Sequence, residues 1–141
     1  MFTTSITQIY KSLQRIKNRE MTEFNLKGCH TMCIFRLGQH PEGMTLTALS
    51  AACEEDKAAM SRTVAELTRD GFVTADTVKK YRAPLTLTDR GRLVAQRVNE
   101  MISEAVAAGG NGLTPEERHN FYSSLELISE NLKNYLKEET D

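Results

Sequence analysis

The sequence predicts a mainly α fold of the α+β class, with six helical stretches and one short β-ribbon between the fourth and the fifth. Three observations carry this. Apolar residues recur at steps of three and four along most of the chain, the period of a helix with one buried face. Strand-like composition is confined to two short runs, Phe72-Val73-Thr74-Ala75 and Ala83-Pro84-Leu85-Thr86-Leu87. Caps and breakers stand between the periodic stretches, at Asp56, Gly71, Thr88, Gly109-Gly110-Asn111-Gly112 and Thr114-Pro115. A length of 141 residues suits one domain, covering residues 1–141.

Ile6, Ile9, Leu13 and Ile16 are spaced three, four, three. That is a narrow seam of coiled-coil type, suited equally to a partner helix and to packing on its own domain. A second helix is expected over residues 25–39. It is apolar on most of its surface through Leu26, Cys29, Met32, Cys33, Ile34, Phe35 and Leu37, as a central, buried helix is. His40-Pro41-Glu42-Gly43 reads as a loop. Met44-Thr45-Leu46 reads as a short strand. Thr47 is then placed to cap a short helix over 48–53, with Leu49 and Ala52 or Cys53 turned inward.

Only Glu54 and Glu55 precede the helix expected from Asp56 to Gly71. The Asp56 carboxylate can accept from free N–H groups of the first turn, and Gly71 can take the left-handed conformation that closes a helix. Met60, Val64 and Leu67 make its apolar stripe. The opposite face carries Lys57, Ala58, Ser61, Arg62, Ala65 and Arg69. A face so small, polar and basic can lie close in a DNA major groove, where Arg contacts guanine with two hydrogen bonds. A solvated amphipathic helix presents much the same face, so its neighbours must decide. A short helix, a tight turn and a basic-faced helix form the helix-turn-helix pattern, whose second helix enters the groove. The two strand candidates then flank a hairpin tip holding Lys79, Lys80 and Arg82, with Pro84 confining the second strand to an edge or to its start. A basic-tipped ribbon in this place is a wing, able to reach a minor groove or the phosphates beside it.

Thr88 is placed to cap a long helix reaching about residue 107, with Val94, Val98, Met101, Ile102, Ala105 and Val106 as its stripe. The glycines at 109, 110 and 112 break it. Thr114-Pro115-Glu116-Glu117 starts the last helix as a capping box with Pro at its first position. Phe121, Leu125, Ile128, Leu132 and Tyr135 or Leu136 follow at steps of three and four.

The net charge is −1, so the whole chain is not drawn to nucleic acid. From Asp56 to Arg97, however, nine Lys/Arg stand against five Asp/Glu, a local surplus of four positive charges. A basic segment in an acidic chain is an electrostatic footprint. No apolar run approaches the roughly 20 residues of a membrane helix. Three cysteines without a secretory start point to a reducing cytoplasm.

Three segments together resemble the multiple antibiotic resistance regulator (MarR) family of bacterial transcription factors. They are Thr47-x-Leu49-Ser50-x-x-Cys53, Asp56-Lys57-x-x-Met60-Ser61-Arg62-x-Val64-x-x-Leu67-x-x-x-Gly71-Phe72-Val73, and Leu85-x-Leu87-Thr88-x-x-Gly91. The motifs cover about residues 44–95; the outer helices match in length and order. The resemblance implies a winged helix-turn-helix homodimer. Helices within about 1–40 and 100–141 would pair the subunits, and the two recognition helices would enter successive major grooves of a near-palindromic operator. Lys57, Ala58, Ser61 and Arg62 would face DNA, with Arg62 first for base reading and Lys57 on phosphate. Lys79, Lys80 and Arg82 would supply the wing contacts. The resemblance also implies a small-molecule effector near His30, Cys33 and Phe35, and repression as the sign of control. Two departures stand out. Glu54 occupies a turn position often held by Gly, which implies a less tight turn. The wing reads Lys79-Lys80-Tyr81-Arg82 in place of the frequent Asp-x-Arg-Arg.

Two other readings stay open at this point. The first is a winged-helix protein-interaction module without DNA function. The second uses Cys29-His30-x-x-Cys33. Thiolates one helical turn apart can share a zinc ion with further donors such as His40 or His119, or act as a redox sensor. Cysteine is also a small hydrophobe, commonly buried, and packing is the expectation for Cys29, Cys33 and Cys53. No metal or cofactor is assigned. An enzyme is not expected: no Gly-rich loop follows a strand, and three scattered histidines make no Ser-His-Asp set.

Overall fold

The computed structural model describes residues 1–75 and 83–138. The order is α1 (Phe2–Thr22), α2 (Gly28–Gly38), α3 (Leu46–Ala52), α4 (Lys57–Arg69), β1 (Val73–Ala75), β2 (Leu85–Leu87), α5 (Asp89–Gly109) and α6 (Pro115–Glu138). The chain divides into two compact units, residues 1–105 and 106–141.

The first unit holds the core. Every element from the end of α1 to the middle of α5 contributes to it. Met21, Cys33, Ile34, Leu49, Leu67 and Val98 are fully buried. A leucine taken wholly out of water contributes roughly 2 kcal/mol, so Leu49 and Leu67 alone tie α3 and α4 firmly to α2. α2 is central, as its composition predicts. It is shorter than expected, because Asn25 takes a left-handed φ of 56° and the chain turns before Lys27.

α3 starts two residues earlier than predicted. Thr45, not Thr47, is the cap: its backbone is extended and its Oγ1 accepts from the Ala48 N–H at 3.1 Å. An early cap leaves no strand over 44–46. Met44 makes only an isolated bridge to Leu85, with N···O distances of 3.0 and 2.7 Å.

The turn into α4 also differs from expectation. It is no looser for lacking glycine. Glu54 itself takes the left-handed conformation, φ 53°, while the Glu55 N–H donates to the Ser50 carbonyl at 3.0 Å. A side chain there costs about 1–2 kcal/mol of backbone strain.

β1 and β2 pair antiparallel, with Val73 opposite Leu87 and Ala75 opposite Leu85. Thr88 closes the base of this ribbon. Its N–H donates to the Phe72 carbonyl at 3.0 Å, its Oγ1 donates to the Gly71 carbonyl at 2.6 Å, and the same oxygen accepts from the Gly91 N–H at 3.1 Å. The predicted cap of α5 thus also clasps the wing.

In the second unit, the Thr114 capping box forms as predicted. The Thr114 N–H donates to Glu117 at 2.8 Å and the Glu117 N–H donates to Thr114 Oγ1 at 3.2 Å. No residue of α6 is buried; Phe121, Leu132, Tyr135 and Leu136 are exposed. In the first unit, Ile6, Ile9 and Leu13 of α1 are likewise exposed, whereas Ile16 packs on the core.

Candidate nucleic-acid interface

α4 is built as the sequence predicts. Asp56 has an extended backbone, and its Oδ1 accepts from the Ala59 N–H at 2.8 Å. Met60, Val64 and Leu67 are buried, which fixes one side of the helix. Gly71, at φ 81°, ends it. Lys57, Ala58, Ser61 and Arg62 are all exposed and share the opposite side. Ala58 and Ser61 add little bulk, so a partner can approach the backbone there. Arg62 makes no hydrogen bond or ion pair among the described residues. Lys79, Lys80 and Arg82, expected at the wing tip, lie outside the described residues.

Three further arginines gather where the ribbon meets α5. Arg90 donates to the Asp70 carbonyl at 2.8 Å and lies 4.2 Å over the Phe72 ring. Arg92 donates to the Leu87 carbonyl at 2.8 Å and pairs with Asp89. Arg69 pairs with Asp70 at 3.1 Å. Arg90 and Arg92 satisfy the chain ends of α4 and β2, so they brace the exposed helix. The sequence gives no sign of the bonds from Arg90 and Arg92 to Asp70 and Leu87, because backbone carbonyls carry no local signature.

The effector residues inferred from the resemblance do not share one surface. His30 is 4% exposed and lines a cleft of about 330 Å³ together with Thr22, Lys27, Glu66, Arg69 and Asp70. Its ring sits between the Lys27 backbone N–H, which donates to Nδ1 at 2.9 Å, and Glu66 Oε2, 2.8 Å from Nε2. The His30 hydrogen bond, aided by Lys27 and Arg69, holds the Glu66 carboxyl below its usual range. Cys33 is instead fully buried in the core, and Phe35 packs half-buried against it.

Cys33 is buried as expected but Cys29 is exposed and does not pack in the core, so the two thiols do not present one ligand face. Burial pushes the Cys33 thiol up to about 12, far from the acidic thiol a redox sensor needs. Among the described residues no three of His, Cys, Asp and Glu are grouped to hold a metal ion. No helix among them is long and apolar enough to cross a membrane.

A short helix, a sharp turn, a helix with one fixed and one open face, and a clasped two-stranded ribbon define a winged helix-turn-helix protein. Residues 36–77 match the family model of the IclR helix-turn-helix domain. No curated protein sequence matches the chain. Among solved structures, the chain has the fold of MarR family proteins. A MarR protein from Peptoclostridium difficile is 22% identical, with a TM-score of 0.85 over 95% of this chain and 88% of that one. A MarR transcriptional regulator from Methanosarcina mazei is 19% identical, with a TM-score of 0.82 over 95% and 90%. A MarR family protein from Mycobacterium tuberculosis, solved in complex with DNA, is 23% identical, with a TM-score of 0.69 over 91% and 97%. The IclR model spans the end of α2 through β1 and two residues beyond, whereas the solved structures match over most of the chain.

Proposed function

We propose that the chain is a sequence-specific regulator of transcription that binds double-stranded DNA as a homodimer. One observation carries this reading: α4 is held by its apolar side and offers Lys57, Ala58, Ser61 and Arg62 to a partner. The DNA complex of the Mycobacterium tuberculosis relative supports it. Lys57 and the wing residues Lys79, Lys80 and Arg82 would neutralise phosphates and fix register, while Ser61 and Arg62 read bases. The exposed apolar seams of α1 and α6 support the dimer, since a second copy would remove them from water. Two copies related by a twofold axis read a near-palindromic operator.

The rest of the proposal is a repressor, working in the cytoplasm, that releases DNA when a small molecule binds near α2 and favours a spacing of recognition helices unsuited to the operator. It is a binding protein and not an enzyme.

The test is fluorescence anisotropy on mixed genomic fragments across a salt series, with wild type beside Arg62→Ala and Lys80→Ala. Losing a phosphate contact flattens the log–log salt slope by about 0.9, whereas losing a base contact weakens tight fragments selectively. We expect the first pattern from Lys80→Ala and the second from Arg62→Ala. A folded dimer that binds no fragment at low salt would favour a protein-interaction module. Sedimentation of Leu13→Glu and Leu132→Glu, expected to be monomers, tests the dimer.

A further inference from the structure

His30 and Glu66 lie 36 residues apart and join α2 to α4 through one hydrogen bond of 2.8 Å. The other ring nitrogen, Nδ1, accepts from the Lys27 N–H at 2.9 Å. A nitrogen that accepts carries no proton, so the neutral ring bears its proton on Nε2 and donates it to the Glu66 carboxylate. The ring is 4% exposed, and breaking the bond would strand a buried donor.

Glu66 stands one turn after Arg62 on α4. Three apolar side chains, Met60, Val64 and Leu67, hold that helix to the core. Apolar packing is not directional and tolerates some rotation about the helix axis. A short hydrogen bond to a buried ring does not. Rotating α4 far enough to release Glu66 would swing Arg62 with it. We infer that His30 is a positioning residue for the DNA interface: by holding Glu66 it fixes the rotation of α4, and so the direction in which Ser61 and Arg62 meet the bases. The inference rests on the DNA-binding reading above. Without the bond, α4 samples rotations that do not read bases, and apparent affinity falls with the fraction that does.

Four variants separate the ring's two bonds, and Glu66→Ala is the one that removes the acceptor outright. His30→Asn puts a carboxamide oxygen near the place of Nδ1, keeping the Lys27 bond and losing Glu66. His30→Gln puts an amide nitrogen near the place of Nε2, keeping Glu66 and losing Lys27. Glu66→Gln keeps an acceptor for His30. The full chain of each is titrated by anisotropy against one tight genomic fragment and against a random duplex of equal length. His30→Asn and Glu66→Ala should bind the tight fragment about tenfold more weakly, the scale of one charge-assisted hydrogen bond. Their affinity for the random duplex and their salt slope should match wild type, because phosphate contacts do not need the rotation. His30→Gln and Glu66→Gln should restore tight binding, and His30→Gln should do so despite a lower melting temperature. Unchanged tight binding by His30→Asn overturns the inference, as does an equal loss on both duplexes, which would mark a folding defect. A Nδ1–H tautomer of His30 seen by nitrogen-15 NMR also overturns it. A wild-type protein that binds both duplexes alike instead removes the sequence-specific reading, and one that binds neither removes the DNA reading; the inference falls with either.

Discussion

The Phe72 carbonyl occupies the space a side chain at position 91 would need: a Cβ built on Gly91 would stand 2.1 Å from that oxygen. The same carbonyl accepts the Thr88 N–H. The first turn of α5 and the start of the ribbon are therefore in backbone contact, and the Leu85-x-Leu87-Thr88-x-x-Gly91 motif has a packing cause. Gly91→Ala forces the two apart. It is expected to destabilise the fold by about 3 kcal/mol, the upper range for overpacking a tight contact. Urea unfolding followed by circular dichroism would measure it, and a loss under 1 kcal/mol would refute the contact.

Glu54 gives the opposite case. Its left-handed backbone suits glycine better than glutamate. Relief of strain outweighs the added freedom of the unfolded chain, so Glu54→Gly should raise stability by roughly 0.5–1 kcal/mol. A thermal melt at fixed pH reads the sign.

Stability should also fall in acid through one identified pair. Arg97 on α5 donates to Glu20 on α1 at 2.5 Å, and this bond, with help from Arg19, holds the Glu20 carboxyl below its usual range. Unfolded Glu20 therefore takes up a proton at a higher pH than folded Glu20. The pair's contribution is present above the ordinary Glu value and is lost as pH falls through the depressed one. Between pH 5 and about 3, Glu20→Gln should lose less stability than wild type. Parallel slopes for the two proteins would mean the pair contributes nothing.

The cysteines should react in the order of their exposure. Cys29 is exposed, while Cys33 is buried with its thiol pushed up to about 12. Since the thiolate is the nucleophile, a disulfide reagent at neutral pH should label Cys29 first and Cys33 only on unfolding. Peptide mass spectrometry after timed labelling checks this; rapid labelling of native Cys33 would reopen the redox reading.

What was legible in the sequence was local. Asp56, Thr88 and Thr114 announce their helices, because a cap and its target N–H lie three residues apart. The stripe of Met60, Val64 and Leu67 marks which side of α4 is buried, and by elimination which side is open. Thr45 and Thr47 could not be separated by residue type, since both are threonine and only the bend of the chain decides. The left-handed Asn25 was missed for a similar reason: asparagine permits that conformation without requiring it. The bond between His30 and Glu66 had no local trace, as its partners meet only after α2 and α4 pack. One hint was present. Glu66 sits beside the apolar stripe of α4, where a half-buried carboxylate calls for a partner.

The base of the ribbon is closed by the residues that flank it. Val73 pairs with Leu87, and Thr88 binds both Gly71 and Phe72. The stretch between Ala75 and Ala83 thus begins and ends on a scaffold that α4 and α5 already hold. None of the contacts that close the base uses a residue of that stretch. If α4 reads DNA as proposed, related chains could therefore vary in sequence between Ala75 and Ala83 without disturbing the contacts that hold the reading helix.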